Sequence, residues 1–185
     1  IAGPVELTSE AEAALQMSVN FLGALSVTRH ALPALRKSRG RVVCVSSLAA
    51  QIPIPFQALY SASKAALEIA MQAIEMECRP FGVCCTCVEL GDTKTSFTQN
   101  RRYVKAAEGD EVYAGRFQRS VSRMERDEQN GYDPVMPARF IARQLNRRSP
   151  PPVAVCGAFP KTVYALRKLL PVRFANAVIR RLYAN

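Results

Sequence analysis

Residues 41–90 read RVVCVSSLAAQIPIPFQALYSASKAALEIAMQAIEMECRPFGVCCTCVEL. The opening run, Arg41 to Ser47, is short and β-branched behind Gly40, and the closing run, Gly82 to Leu90, is apolar throughout and of strand length. Between them a proline-containing loop leads into a helical pattern from about Tyr60 to Glu77, with Met71 and Met76 read as helix core, ended by Pro80 and Gly82. Two strands without polar alternation, joined by one helix, are the pattern of a parallel sheet covered on both faces. Ligands of such sheets sit outside the carboxyl ends of the strands. Here those ends are Ser46 and Ser47 and the stretch from Leu90 to Thr95.

Outward from this unit the alternation continues. Upstream, Leu15, Val19, Leu22, Leu25, Leu32 and Leu35 recur with a helical period over about 9–37, with Ser9 and Glu12 spaced as a capping box and Gly23 and Pro33 predicting a bend. Downstream, residues 92–135 carry mixed charge and scattered aromatics without one firm period, which predicts a lid or binding loop. A helix over about 137–147 and a third strand in PVAVCG follow, its end at Gly157, and then a tail of two short helices split by Pro171. The predicted fold class is α/β, a partial Rossmann-like doubly wound parallel sheet containing only the later strands and helices. Residues 1–158 form its main part, with the lid at 92–135, and 159–185 form a basic amphipathic tail.

Charge and composition exclude several functions. The chain of 185 residues has 25 Lys and Arg against 15 Asp and Glu, a net +10, but residues 1–133 are balanced and the excess lies wholly between Pro134 and Asn185, where no acid occurs. That asymmetry predicts a basic C-terminal surface rather than nucleic-acid binding, for which no motif or stacking array is present. A lone histidine, His30, makes a Ser-His-Asp hydrolase and a zinc site poor readings, so no metal is expected. The six cysteines read as reduced core residues, and without a signal peptide or membrane-length apolar run the expected location is cytoplasmic. No two of the nine glycines are spaced as in a dinucleotide-phosphate loop.

The chemistry concentrates at Ser47, which ends a strand, and at Tyr60 and Lys64, which share one helix face one turn apart. For a phenol to exchange protons near neutral pH, its proton affinity has to fall about a thousandfold, roughly 4 kcal/mol. An ammonium at about 4 Å supplies about 1 kcal/mol in water and about 4 kcal/mol at an effective dielectric of about 20. The pair therefore needs a partly desolvated pocket, and a strand-end hydroxyl such as Ser47 is suited to hold a substrate oxygen beside the phenol.

The set Asn20, Ser47, Tyr60 and Lys64, with V-S-S ending a strand and Y-S-A-S-K-A-A-L opening a helix, closely resembles the short-chain dehydrogenase/reductase family. The segment VELGDTKTSF resembles that family's loop after its sixth strand, with Leu90 where a proline is usual. The resemblance implies an oxidoreductase that interconverts a carbonyl and a secondary alcohol by hydride transfer with NADP or NAD, NADP being favoured. It implies Tyr60 as general acid/base, Ser47 as the group orienting the substrate oxygen, and Lys64 as the residue that lowers the tyrosine and holds the nicotinamide ribose. Asn20 would position a water, and Gly91, Asp92, Thr93 and Thr95 would lie against the cofactor.

Phe97 is a substrate-pocket candidate, and more loosely so are Tyr103 and Tyr113. IAGPVELTSE resembles the stretch after the family's fourth strand, so the chain is expected to be the catalytic part of a longer product without the glycine-rich half. The expected substrate is lipophilic and the expected assembly a homo-oligomer through the helices at 9–37 and 60–77; the tail has two readings, peripheral membrane contact or closure of the substrate pocket by its apolar face. The competing reading is a catalytically silent scaffold.

Overall fold

A computed structural model describes residues 1–184. Its centre is a parallel sheet in which β1 (Arg41–Ser47), β2 (Cys84–Leu90) and β3 (Val153–Val155) lie in that order, with Arg41 opposite Cys84 and Cys87 opposite Val153. Parallel neighbours require crossover connections. The helix α3 (Ala58–Cys78) makes the first. The lid helix α4 (Ala114–Gln129) and α5 (Val135–Asn146) lie within the second.

Both faces of the sheet are covered, which is why its strands read as unbroken apolar runs. On one face Cys44, Cys85 and Cys87 pack under Leu67 and Met71 of α3, with Leu32 and Leu35 of the preceding helix beside them. On the other, Val88, Ala154 and Cys156 pack under Met136, Phe140 and Ile141 of α5. Successive strand residues alternate between the two cores, and a fully buried valine such as Val88 contributes about 1.5–3 kcal/mol. All six cysteines are free.

The first long helix runs unbroken from α1 (Glu10–Met17) through a π-helical stretch (Ser18–Gly23) into α2 (Ala24–Ser38). The Ser9–Glu12 capping box forms, with Ser9 N donating to Glu12 Oε2 at 2.9 Å. The helix continues through Gly23, where the π stretch ends. Pro33 lies inside α2 without ending it.

Two sequence readings change. The segment read as aperiodic contains the 16-residue α4, whose Val121, Met124 and Glu128 turn inward among many charges. Met71 and Met76, both read as core, part company: Met71 is 1% exposed and Met76 69%, because five residues of helix turn them to different sides. The tail forms α6 (Ala158–Leu169) and α7 (Val172–Tyr183), broken at Pro171 as expected, and no described helix is long and apolar enough to cross a membrane.

Candidate active site

The carboxyl ends of β1 and β2 and the first two turns of α3 converge. Ser47 leaves β1 in an extended conformation, and its Oγ accepts from Ala49 N at 3.2 Å, which starts a 3-10 turn. The ten residues from Leu48 to Gln57 then return the chain to α3, which presents Tyr60 and Lys64 to the strand ends. At Phe56 the backbone takes the left-handed region, φ 62°, which costs a non-glycine residue roughly 1–2 kcal/mol. Packing holds it there: the Phe56 ring lies against Tyr113 and Phe117, with centroids 6.4 and 5.5 Å away, and its carbonyl accepts from Gly3 N at 2.8 Å.

Lys64 Nζ donates to Val45 O at 2.9 Å and lies 5.9 Å from the centroid of the Tyr60 ring. Burial pushes the lysine below its ordinary range, opposed by the Cys44 and Cys87 thiols. Burial pushes the Tyr60 phenol up, and the Ser47 hydroxyl pulls it back. The direction is opposite to the one the resemblance implied for Tyr60, and the geometry gives the reason. Desolvation acts on the whole phenol, whereas the ammonium is turned to a backbone carbonyl. The Cys87 and Cys85 thiols are also raised by burial, the latter to about 12, so neither is a thiolate nucleophile.

Asn20 sits within the π stretch, and its Nδ2 donates to Ser63 Oγ at 3.1 Å; Ser63 in turn donates to Tyr60 O at 2.7 Å. π-Helical turns occur often at functional sites because they re-aim side chains. Here one joins the first long helix to the turn of α3 that carries the phenol and the ammonium. Ser63, fully buried, is a residue that the sequence reading passed over inside Y-S-A-S-K.

The loop after β2 is strapped down. Thr93 pairs with Tyr132, Tyr132 N donates to Asp92 O at 2.9 Å, and Lys94 N donates to Tyr132 O at 3.0 Å. Gly91 is needed for close approach, since a Cβ there would meet Pro160 Cγ at 2.7 Å. Thr93 Oγ1 donates to Gly91 O and Thr95 Oγ1 accepts from Phe97 N, so the loop's own hydroxyls brace it. Asp92 is raised to about 6, by burial first and then by Asp127 and Glu128, although its solvent contact lets salt temper the shift.

Of the three aromatic candidates, only Phe97 is placed against Tyr60, the ring centroids being 5.9 Å apart. Tyr103 and Tyr113 instead tie the lid, donating to Glu125 Oε1 at 2.9 Å and Glu6 Oε2 at 2.6 Å. Arg101, buried under the Phe97 ring, pairs with Glu128, which also accepts from Thr98 Oγ1 at 2.6 Å.

One turn below Lys64 lies a buried acid pair absent from the sequence reading. Gln51 Nε2 donates to Glu68 Oε1 at 2.7 Å and to Glu89 Oε1 at 2.8 Å, while Gln51 O accepts from Arg167 Nε at 3.1 Å. Burial, and then Glu68, raises Glu89 to about 8, with Gln51 and Lys168 opposing. The second carboxyl oxygens of Glu68 and Glu89 are buried without a partner, so one shared proton would join them. The available signal was a single acid inside the apolar run GVCCTCVEL.

The donor set suits the nicotinamide-ribose end of a dinucleotide. An ammonium has three donors, and among the described residues only Val45 O engages one of them, which leaves two for ribose hydroxyls. The chain supplies no glycine-rich turn of the kind that cradles the pyrophosphate.

A family model described as short chain dehydrogenase matches residues 1–105. The 3-ketodihydrosphingosine reductase of Bacteroides thetaiotaomicron is 34% identical over 186 residues, which cover 100% of this chain and 69% of that protein. The 11-beta-hydroxysteroid dehydrogenase type 2 of Oryctolagus cuniculus is 40% identical over 100 residues, 54% of this chain and 25% of that one. Among solved structures, a short-chain dehydrogenase from Streptomyces avermitilis superposes with a TM-score of 0.74 at 25% identity, covering 97% of this chain and 65% of the other. The chain thus spans about two thirds of the length of the reductase and of the solved structure.

Proposed function

The chain belongs to the short-chain dehydrogenase family, and from that premise we propose that it houses the proton-transfer side of an NADP- or NAD-dependent oxidoreductase that interconverts a carbonyl and a secondary alcohol. The observation that carries the reading is the half-buried Tyr60 phenol between the Ser47 hydroxyl, the Lys64 ammonium and the Phe97 ring. A bound nicotinamide dinucleotide would supply or accept the hydride. Tyr60 gives its proton to the carbonyl oxygen in reduction and takes the alcohol proton in oxidation. The Ser47 Oγ accepts from Ala49 N, and its O–H, which faces the Tyr60 phenol in this structure, would turn to the same oxygen once substrate is bound. Burial keeps the phenol protonated, the form that reduction needs.

Lys64 would hold the ribose with its two remaining donors, and Gly91, Asp92, Thr93 and Thr95 would face the carboxamide and phosphates. Asn20 acts through Ser63 and so positions the helix turn. A lipophilic ketone or alcohol fits Phe97 and agrees with the relatives' names, a ketodihydrosphingosine reductase and a hydroxysteroid dehydrogenase. Two further parts of the reading concern surfaces. Leu15, Val19 and Leu22 on the first long helix and Ile69 and Met76 on α3 are exposed and apolar, which supports self-association there. Exposed leucines of the basic tail support contact with an anionic membrane surface.

The test is Tyr60→Phe in an active preparation. kcat should fall by roughly 10²–10⁴-fold, the range for loss of a general acid/base, while nucleotide affinity stays within about twofold. Near-normal kcat overturns the assignment, and wild-type protein with neither turnover nor nucleotide binding points to a silent scaffold.

A further inference from the structure

Behind the loop that follows Ser47 runs a groove of about 890 Å³ that includes none of Asn20, Ser47, Tyr60 or Lys64 among its walls. Its size falls within the roughly 300–1,000 Å³ of small-molecule sites. One wall is the face of α3 next to the catalytic one, Ala58, Ser61, Ala62 and Ala65, spaced by three and four residues. The floor is the apolar turn Ile52 to Pro55. The far wall is α7, where Arg173, Ala177 and Arg180 form one stripe. The gap stays open because small side chains, largely alanines, face each other across it.

Cations rim this apolar trough, and among the described residues no carboxylate lines it. Arg116 stands in the first turn of α4, where the helix dipole favours an anion. Its Nε donates to Ala184 O at 3.1 Å, which occupies that carbonyl at the end of α7 and brings Arg116 within one helix turn of Arg180. Arg180 and Arg173 have no ion-pair partner among the described residues. Arg173 lies seven residues before Arg180, about 10 Å along the helix. Two guanidiniums at one end of an apolar trough match a ligand with one charged end and one chain.

We propose that the groove between α3 and α7 binds a single-chain anionic amphiphile, a fatty carboxylate or alkyl phosphate. Its head lies at Arg116 and Arg180 and its chain runs along the Ile52–Pro55 turn and the alanine faces. The inference is independent of hydride transfer.

Calorimetric titration with dodecyl phosphate below its micellar concentration tests it, with dodecyl maltoside and inorganic phosphate as controls. Saturable one-to-one binding of dodecyl phosphate is expected, roughly tenfold or more tighter than either control. Arg116→Gln with Arg180→Gln should weaken it by roughly tenfold or more, the scale of a lost charge-assisted contact. Arg173→Gln should weaken it less. Ala62→Phe, at an exposed position, should block the trough with every charge in place, and Phe174→Ser with Leu182→Ser on the outer side of α7 should change nothing. Equal affinity in the double arginine variant or in Ala62→Phe overturns the proposal. So does binding that appears only with vesicles and is lost in Phe174→Ser, which would assign the surface to a membrane instead.

Discussion

Glu89 has no exposed surface and stands one residue before the end of β2, where a charge would normally be excluded. It is tolerated because burial and the neighbouring Glu68 raise it to about 8, so at neutral pH it holds a proton. The unfolded chain releases that proton near the ordinary value of 4.5. Between those two values the folded state binds more protons than the unfolded one, so stability must fall as pH rises from about 4.5 to about 8. Each tenfold change in proton affinity corresponds to about 1.4 kcal/mol. Denaturant melts of Glu89→Gln, whose amide mimics the protonated acid, should lose that slope. The variant should match wild type near pH 5 and exceed it near pH 8 by roughly 1 kcal/mol or more. Parallel curves would mean that Glu89 is ionised when folded. The acid was visible in the sequence, but its partners were not, because Gln51 and Glu68 are 38 and 21 positions away and meet it only once α3 crosses the sheet.

At the scale of elements, the β1–α3–β2 unit was readable because both strands are apolar runs without a competing polar period, β2 buried from Cys85 to Glu89 and β1 covered less fully, with Val45 44% exposed. The Tyr60 and Lys64 pair was equally readable, since a spacing of four fixes one face of a helix wherever the helix goes. What sequence could not supply was the orientation of α3 about its axis. Met71 enters the core against Cys44 and Cys87 while Met76 faces outward, yet both are methionines in one apolar pattern. Met71→Ala should therefore cost about 2–5 kcal/mol, as for other buried methionines, and lower the denaturation midpoint. Met76→Ala should change monomer stability by less than about 0.5 kcal/mol but weaken self-association in sedimentation equilibrium, because it belongs to the exposed stripe with Ile69. Similar destabilisation by both would show that Met76 is covered within the monomer. The lid helix α4 escaped notice for a different reason. Its inward stripe includes Ser120 and Glu128, both polar, and Glu128 is buried together with its partners Arg101 and Thr98 on the preceding loop.

For the whole molecule, the decisive asymmetry is that every acid precedes Pro134 while ten cations follow it. A tail that closed the substrate pocket would turn its apolar residues inward. Instead α7 packs on α4 and buries Ala175 and Ile179, while Leu166, Leu169, Phe174, Val178 and Leu182 stay exposed, Leu169 at 80% and Phe174 at 57%. Of the tail's cations, Arg167 is engaged by Gln51 O and Arg173 and Arg180 line the groove, which leaves Lys161, Lys168 and Arg181 for an outer surface. At about 1 kcal/mol per cation near an anionic leaflet, three supply about 3 kcal/mol, marginal attachment by charge alone. Insertion of even two exposed apolar side chains, at about 1.5–3 kcal/mol each when fully buried, turns that into stable but reversible docking. Two helices of 12 residues separated by Pro171 suit a position in the interface rather than across about 30 Å of hydrocarbon. Co-sedimentation should therefore show binding to vesicles rich in anionic lipid and little to neutral ones, weakened by high salt. Leu169→Ser with Phe174→Ser should abolish it while leaving dodecyl phosphate binding in the groove intact. No binding to anionic vesicles at low salt would remove the membrane from the function, and the exposed apolar side chains would then have to be covered by protein.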